Sequence, residues 1–379
     1  MLSFDTPQGL GLNPARFAAA HTLIDGWCTQ GKLPAAALVV GRGGKNTRAF
    51  LFGRQRLAPG APHLRDDALF LIASITKPIV AMGVLLLVER GLITLDDRVE
   101  DYLPEFAAEG RHGVTLRHLL THTSGLPDML PDNRELRAAQ APLARFVAGA
   151  CTVPLDFAPG RGVQYQSMGF ALLGEVLRRV SGKPCAEFLN TEIFKPLGMH
   201  DTALGAPAEW FQGQPPTIDR IAEIRVPADQ QQAATWNWNS AYWRRLGAPW
   251  GGLITTPLDL AAFAQLMLRG GRWGEERLFS PATIAAATRN QLASLRELPE
   301  DDRRCRPWGL GWRLNWPAHS ANFGDLLGPR SYGHWGATGT LLWIDPDLDA
   351  FCILLTTQPQ EPNGIDLARA TNAVIAAFV

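Results

Sequence analysis

The chain has 379 residues, 46% of them hydrophobic and 19% charged, which is the composition of a folded, enzyme-sized protein and excludes a disordered or fibrous one. Its 36 Lys and Arg balance 36 Asp and Glu, so it has no excess positive charge with which to hold a nucleic-acid backbone. The longest uncharged apolar stretch, Pro78–Val88, has 11 residues, well short of the roughly 20 that a membrane-spanning helix needs.

Residues Met1 to Phe17 carry Asp5, Pro7 and Pro14 and lack the basic start and apolar centre of a signal peptide, so a cytoplasmic location is expected. Asn13 to Gly31 reads as a helix, with Asn13 as cap, Pro14 in the first turn and Phe17, Ala20, Leu23, Ile24 and Trp27 at helical spacing. Ala35 to Gly41 and Arg48 to Gly53 are short apolar runs around a Gly-rich turn and predict a β-hairpin. Helical patterns dominate the middle, at Thr76–Arg90, Leu116–Thr121, Met168–Val180 and Leu258–Leu268. The charged stretch Arg296 to Arg306 reads as a solvated loop. Gly339–Ile344 and Ala350–Thr356 predict two strands about the turn Asp345, Pro346, Asp347, and Ile365–Val379 predicts a last helix. Two mixed ends that share one sheet give an α/β (α+β) fold. A central antiparallel sheet flanked by helices would come from residues 1–73 and 251–379, with a mostly helical insertion at residues 74–250 and a ligand cleft at the seam. Five scattered cysteines, Cys28, Cys151, Cys185, Cys305 and Cys352, with no CxxC, predict reduced and mostly buried thiols.

Three segments can carry chemistry. Ser74, Ile75, Thr76, Lys77 lies where a strand-like run passes into a helix, and residues three apart on a helix share a face. A serine hydroxyl is a weak nucleophile until a neighbour takes its proton, and a buried amine close to neutrality can do so. The helix supplies that burial through Ile79, Val80, Met82 and Val84 to Val88, and its N-terminal dipole also disfavours an ammonium. The plain alternative is a capping serine and a lysine reaching water. Tyr165, after the loop Ala158–Gly162 and before a helix, can share a proton with Lys77 and return it to a leaving alkoxide; as an isolated tyrosine it would only close a loop. Tyr332 to Gly339 lies immediately ahead of the strand from Thr340; its glycines let a ligand approach the backbone and a strand edge offers N–H groups to an oxyanion, the plain alternative being a Gly-rich turn with His334 hydrogen-bonded locally.

Together these segments resemble the serine β-lactamase and penicillin-binding-protein superfamily, and within it the class C β-lactamase-like group that includes the family VIII carboxylesterases. Ser74 to Lys77 matches that family's SxxK, Tyr165, Gln166, Ser167 its YxN, and His334, Trp335, Gly336 its KTG. Leu119 to Leu126, Gly169 to Gly174 and Gly251 to Leu253 are similar as well, and the likeness spans about Ala36 to Thr357. The resemblance implies a sheet domain and a helical domain with the active site between them, Ser74 as nucleophile, Lys77 and Tyr165 as proton carriers, and the Ser74 and Ala337 N–H groups as oxyanion hole. Two departures, Ser167 for Asn and His334 for Lys, weaken the grip on an antibiotic's amide and carboxylate, and the resemblance associates such HxG variants with esterases. Ser167, His334, Trp335 and Gly336 are therefore expected to touch substrate. Trp238 and Tyr242, in the aromatic segment Trp236–Trp250, would line an acyl or alcohol pocket, unless that cluster is plain core.

Other motifs are absent: there is no GxSxG, no GxxxxGK[ST] and no GxGxxG, since Gly26 to Lys32 fits the spacing of the second but is followed by Leu33, and His118 and His122 lack the glutamate of HExxH. No cofactor or metal is expected. The sequence predicts a hydrolase of small carboxylic esters, probing no nucleic acid and no membrane, with an undetermined oligomeric state. The alternatives are a β-lactamase or DD-peptidase, an acyltransferase, or an inactive fold that only binds a ligand.

Overall fold

The computed structural model describes residues 2–316, 321–359 and 364–379. Asn13 accepts a hydrogen bond from the Arg16 N–H at 3.1 Å and starts helix α1 (Pro14–Thr29), with proline in its first turn. The chain then runs through β1 (Ala35–Arg42), a two-residue strand β2 (Lys45–Asn46) and β3 (Phe50–Gly53). Side chains alternate across a strand, so Ala35, Ala37 and Val39 enter one apolar core while Ala36, Leu38 and Val40 enter another. Both faces are covered. That is why β1 reads as an unbroken apolar run and not as an alternation.

Short strands β4 (Phe70–Leu71), β5 (Ala203–Leu204) and β6 (Leu253–Thr255) form a small sheet in the order β4-β6-β5, and β7 (Arg272–Trp273) with β8 (Glu276–Arg277) forms a separate hairpin. The last strands are β9 (Arg313–Leu314), β10 (Tyr332–Gly336), β11 (Thr340–Asp345) and β12 (Ala350–Thr356). The main sheet is antiparallel and seven-stranded, ordered β2-β1-β12-β11-β10-β9 with β3 also on β1. Its centre joins the two ends of the chain, Ala36 opposite Thr356 and Arg42 opposite Ala350. Helix α1 and the helix Ile365–Ile375 cover the outer face, through Phe17, Ile24, Leu367 and Val374. The inner face, with Val39, Ile353 and Leu355, continues into helix α2 (Thr76–Glu89) and the helix Met168–Ser181 in one core. As a proposed division, residues 1–73 and 251–379 form the sheet part and 74–250 the helical part; side chains pack across both seams.

One plain alternative and one expectation are corrected. Tyr332–Gly336 is not a turn but strand β10, with Gly336 opposite Thr340 and Tyr332 opposite Leu314. Its two glycines lower intrinsic strand propensity, and pairing on both edges overrides that. Within the stretch 296–306, Glu300–Cys305 is a helix. The charges that suggested a solvated loop are ordered by sign along it: Glu300, Asp301 and Asp302 lie in the first turn, Arg303 and Arg304 in the last, and Arg304 pairs with Glu300. Of the cysteines, Cys151, Cys185 and Cys352 are buried, Cys28 is intermediate and Cys305 exposed. Burial pushes the Cys151 thiol up to about 11, which leaves it un-ionised and inert. Among the described residues no helix is long and apolar enough to cross a membrane.

Candidate active site

Ser74 sits in a single 3-10 turn, Ala73–Ile75, that feeds directly into α2. The turn is clamped from two sides. The Ile72 N–H donates to the Leu253 carbonyl and the Leu253 N–H to Thr76 Oγ1, each at 3.0 Å. From the other side the β10–β11 turn reaches in, with Thr338 Oγ1 donating to the Leu71 carbonyl at 2.7 Å and Thr340 Oγ1 to the Ile72 carbonyl at 2.9 Å. Held between them, Ala73 adopts φ +46°, a left-handed conformation that costs a residue with a Cβ of order 1–3 kcal/mol. Strain of this kind stands immediately before Ser74, whose hydroxyl lies 3.3 Å from Lys77 Nζ.

Every α2 residue from Thr76 to Leu87 is buried, so Lys77 enters an apolar core. Its Nζ donates to the Trp250 carbonyl at 2.8 Å and to Ser74 Oγ at 3.3 Å. Burial pulls the amine down to about 7; Asp128 opposes that shift and Arg313 adds to it. Near neutrality the amine is therefore partly free to accept a proton from the hydroxyl beside it.

Tyr165 comes from a distant loop, and its ring centre lies 4.6 Å from Lys77 Nζ. The loop is pinned on His122. The Gln166 N–H donates to His122 Nδ1 at 3.0 Å, the Gln164 N–H to the His122 carbonyl at 2.9 Å, and the imidazole lies 4.8 Å from the Tyr165 ring. His122 itself takes φ +61° at the end of the helix Leu116–Leu120. The histidine that failed as a metal ligand in the sequence is thus the peg on which the tyrosine loop hangs. Gln166 also donates through Nε2 to the His118 and Leu119 carbonyls.

The remaining residues divide. Ser167 is buried and donates through Oγ to the Asp128 carboxylate at 2.7 Å. His334, buried in β10, has its ring 5.9 Å from that of Tyr165 and its Nδ1 2.7 Å from the Trp335 carbonyl. Trp335 points to the opposite face of β10, edge-on to Phe323. Gly336 lies so close that a Cβ there would stand 2.3 Å from the Ile72 carbonyl and 3.0 Å from Ala73 Cβ. Neither the Ser74 nor the Ala337 N–H has a backbone acceptor among the described residues. Trp238 packs on a small cluster with Leu71, Ile224 and Trp243, and Tyr242 gives its hydroxyl to the Ala141 carbonyl at 2.8 Å; both side chains are thereby engaged in packing and bonding outside the Ser74–Lys77–Tyr165 group.

Sequence reasoning missed Asp128 and Arg313. The Arg313 guanidinium stands 5.0 Å from the Tyr165 ring centre, 4.6 Å from Trp308 and 3.8 Å from Trp335. If Lys77 is the group whose deprotonation limits the rate, kcat/KM rises as pH passes upward through about 7. Asp128→Asn, which keeps an acceptor for Ser167 and removes the charge favouring the ammonium, is expected to move that limb to lower pH. Arg313→Gln is expected to move it to higher pH. Profiles between pH 5 and 9 read both, and shifts of the same sign would show that Lys77 is not the titrating group.

The comparisons with known proteins bear on this geometry. The β-lactamase family description matches residues 17–376. Esterase EstB of Burkholderia gladioli is 31% identical over 384 residues, covering 94% of this chain and 94% of that one. A Salmonella agona protein, provisionally described as a D-alanyl-D-alanine carboxypeptidase, is 29% identical over 300 residues; the match covers 73% of this chain and 66% of its own length. The crystal structure of a penicillin-binding-protein homologue from Caulobacter crescentus superposes with a TM-score of 0.76 at 25% identity, covering 96% of this chain and 99% of that one.

Proposed function

The chain belongs to the β-lactamase family of serine hydrolases, and from that premise we propose that it cleaves small, short-chain carboxylic esters through an acyl-enzyme on Ser74. The observation that carries the reading is a wholly buried amine 3.3 Å from the Ser74 hydroxyl with a tyrosine ring 4.6 Å away. Ser74 Oγ attacks the ester carbonyl while its proton passes to the Lys77–Tyr165 pair. The carbonyl oxygen, now an anion, takes hydrogen bonds from the Ser74 and Ala337 N–H groups. Collapse expels the alkoxide, which leaves with the proton returned by the pair. Water then repeats the sequence on the acyl-enzyme and releases the acid.

Three features favour esters over β-lactams. Ser167 spends its hydroxyl on Asp128, so it is not free to donate to an amide side chain. The matching β10 position holds a buried imidazole in place of a lysine. The relative that matches along 94% of both chains is named an esterase. We place the reaction in the cytoplasm, in keeping with five free thiols.

A fluorophosphonate probe should add its mass to the Ser74 peptide and to no other, with no label on the Ser74→Ala chain. p-Nitrophenyl butyrate should turn over far faster than nitrocefin. An unlabelled Ser74 refutes the acyl-enzyme, and nitrocefin rates equal to ester rates favour a β-lactamase. Tyr165→Phe is expected to lower kcat by about 100-fold or more, as for loss of a general acid–base group, with KM little changed. A change in KM alone would make Tyr165 a binding residue.

A further inference from the structure

A cavity of about 780 Å³ opens beside the first residues of β10, away from the site described above. It includes Tyr332 and Leu314 in its lining but none of Ser74, Lys77 or Tyr165. Tyr332 precedes Gly336, the last residue of β10, by four residues, so the cavity starts about 14 Å from the strand end that leads into Ala337, at 3.4 Å per strand residue.

Its walls have two characters. Leu314, Tyr332, Pro307 and Pro329 form an apolar floor. Around it stand Arg289, Arg303, Arg304 and Arg330, against the single carboxylate Glu300. Two of these arginines are neutralised, Arg304 by Glu300 and Arg330 by Asp347. Arg289 and Arg303 have no carboxylate partner among the described residues, and Arg303 Nε is buried without a hydrogen-bond partner. Two guanidinium groups without a carboxylate partner on the rim of one cavity are donors suited to an anion.

We propose that this cavity is a second, non-catalytic binding site for a carboxylate with an apolar body, held by Arg303 and Arg289 with its tail on Leu314 and Tyr332. A fully hydrated inorganic anion would leave the apolar floor unused. The preference for a carboxylate over other amphipathic anions rests on the ester-hydrolase reading, whose acid product is of this class. Occupied by that acid, the site would sense product from a position joined to His334 by the two-residue step along β10.

The test is calorimetric titration of the chain with 4-phenylbutyrate and with its neutral amide, before and after phosphonylation of Ser74. The carboxylate is expected to bind at least tenfold more tightly than the amide, equally well to phosphonylated protein, and more weakly as NaCl rises. The double variant Arg289→Gln, Arg303→Gln should lose that tenfold preference with its melting temperature kept. Equal affinities for acid and amide, absence of heat, or loss of binding on phosphonylation would each overturn the proposal, the last by placing the acid in the catalytic groove. Should the double variant fold poorly, the salt series on the unaltered chain decides. Failure of the phosphonate to label Ser74 would instead refute the hydrolase reading, and the acid–amide comparison on untreated protein would still stand.

Discussion

Lys77→Met is expected to reduce kcat on p-nitrophenyl butyrate by at least about 1000-fold, within the range for a lost general base, while raising thermal stability. The side chains are similar in length, and methionine needs no hydration in the core that encloses α2. The lysine is costly there. Its amine titrates near 10.5 in the unfolded chain and at about 7 when buried, so at pH 7 the unfolded state binds more protons than the folded one. Three or so units at 1.36 kcal/mol each amount to roughly 4 kcal/mol of lost stability. Methionine removes that penalty but leaves the Trp250 carbonyl without its donor, a cost of about 1–3 kcal/mol. The balance favours the variant by a few kcal/mol at pH 7.

The pH dependence supplies the check. Because the unfolded state holds the extra proton between pH 7 and 10.5, wild-type stability should climb as pH rises from 7 to 9, and the contribution of this residue to that climb should vanish in Lys77→Met. Denaturation curves at the two pH values measure it. A variant that melts lower than wild type at both, with no difference in pH slope, would show that the lysine is not held neutral.

Gly336→Ala should be nearly as damaging to turnover for a purely steric reason. The added methyl would meet the Ile72 carbonyl at 2.3 Å and Thr340 Oγ1 at 2.4 Å, and neither belongs to a flexible side-chain end. Strand β10 must back away from the serine turn, carrying the Ala337 N–H with it. Loss of one oxyanion donor costs about 100- to 1000-fold in kcat, and overpacking a further 1–3 kcal/mol in stability. Gly26→Ala is the control: no atom lies within 4 Å of its Cβ, it sits inside α1, and the change should stabilise by about 0.5–1 kcal/mol with activity intact. Near-normal kcat in Gly336→Ala would remove Ala337 from the reaction.

Local patterns were legible in the chain and long-range ones were not. Helix α2 and its Ser74–Lys77 pair depend on residues three apart, so the spacing alone carries them. Strands β1, β11 and β12 announce themselves because aliphatic side chains line both faces. Strand β10 was hidden by Gly333 and Gly336, whose value lies in close approach to other backbone and not in any propensity of their own. Asp128 and Arg313 reach Lys77 only through the tertiary fold: one stands on the loop that receives Ser167, the other on a two-residue strand with no periodicity to read. His122 showed a histidine's usual ambiguity, and only the bond from the Gln166 N–H and the contact with Tyr165 decide its use.

The union of β1 with β12 also sets a timetable. During synthesis β1 leaves the ribosome about 300 residues ahead of its partner; at 5–20 residues per second the wait is roughly 15–60 s. Through that interval the nascent chain carries an aliphatic strand edge open to other nascent chains, which makes shielding by a chaperone most valuable before residue 350 has emerged. On the proposed reading Ala337 likewise follows Ser74 by a long stretch of chain, so the serine would stay without its full oxyanion cradle until the β10–β11 turn is made, and a shorter polypeptide would have no catalyst to unleash.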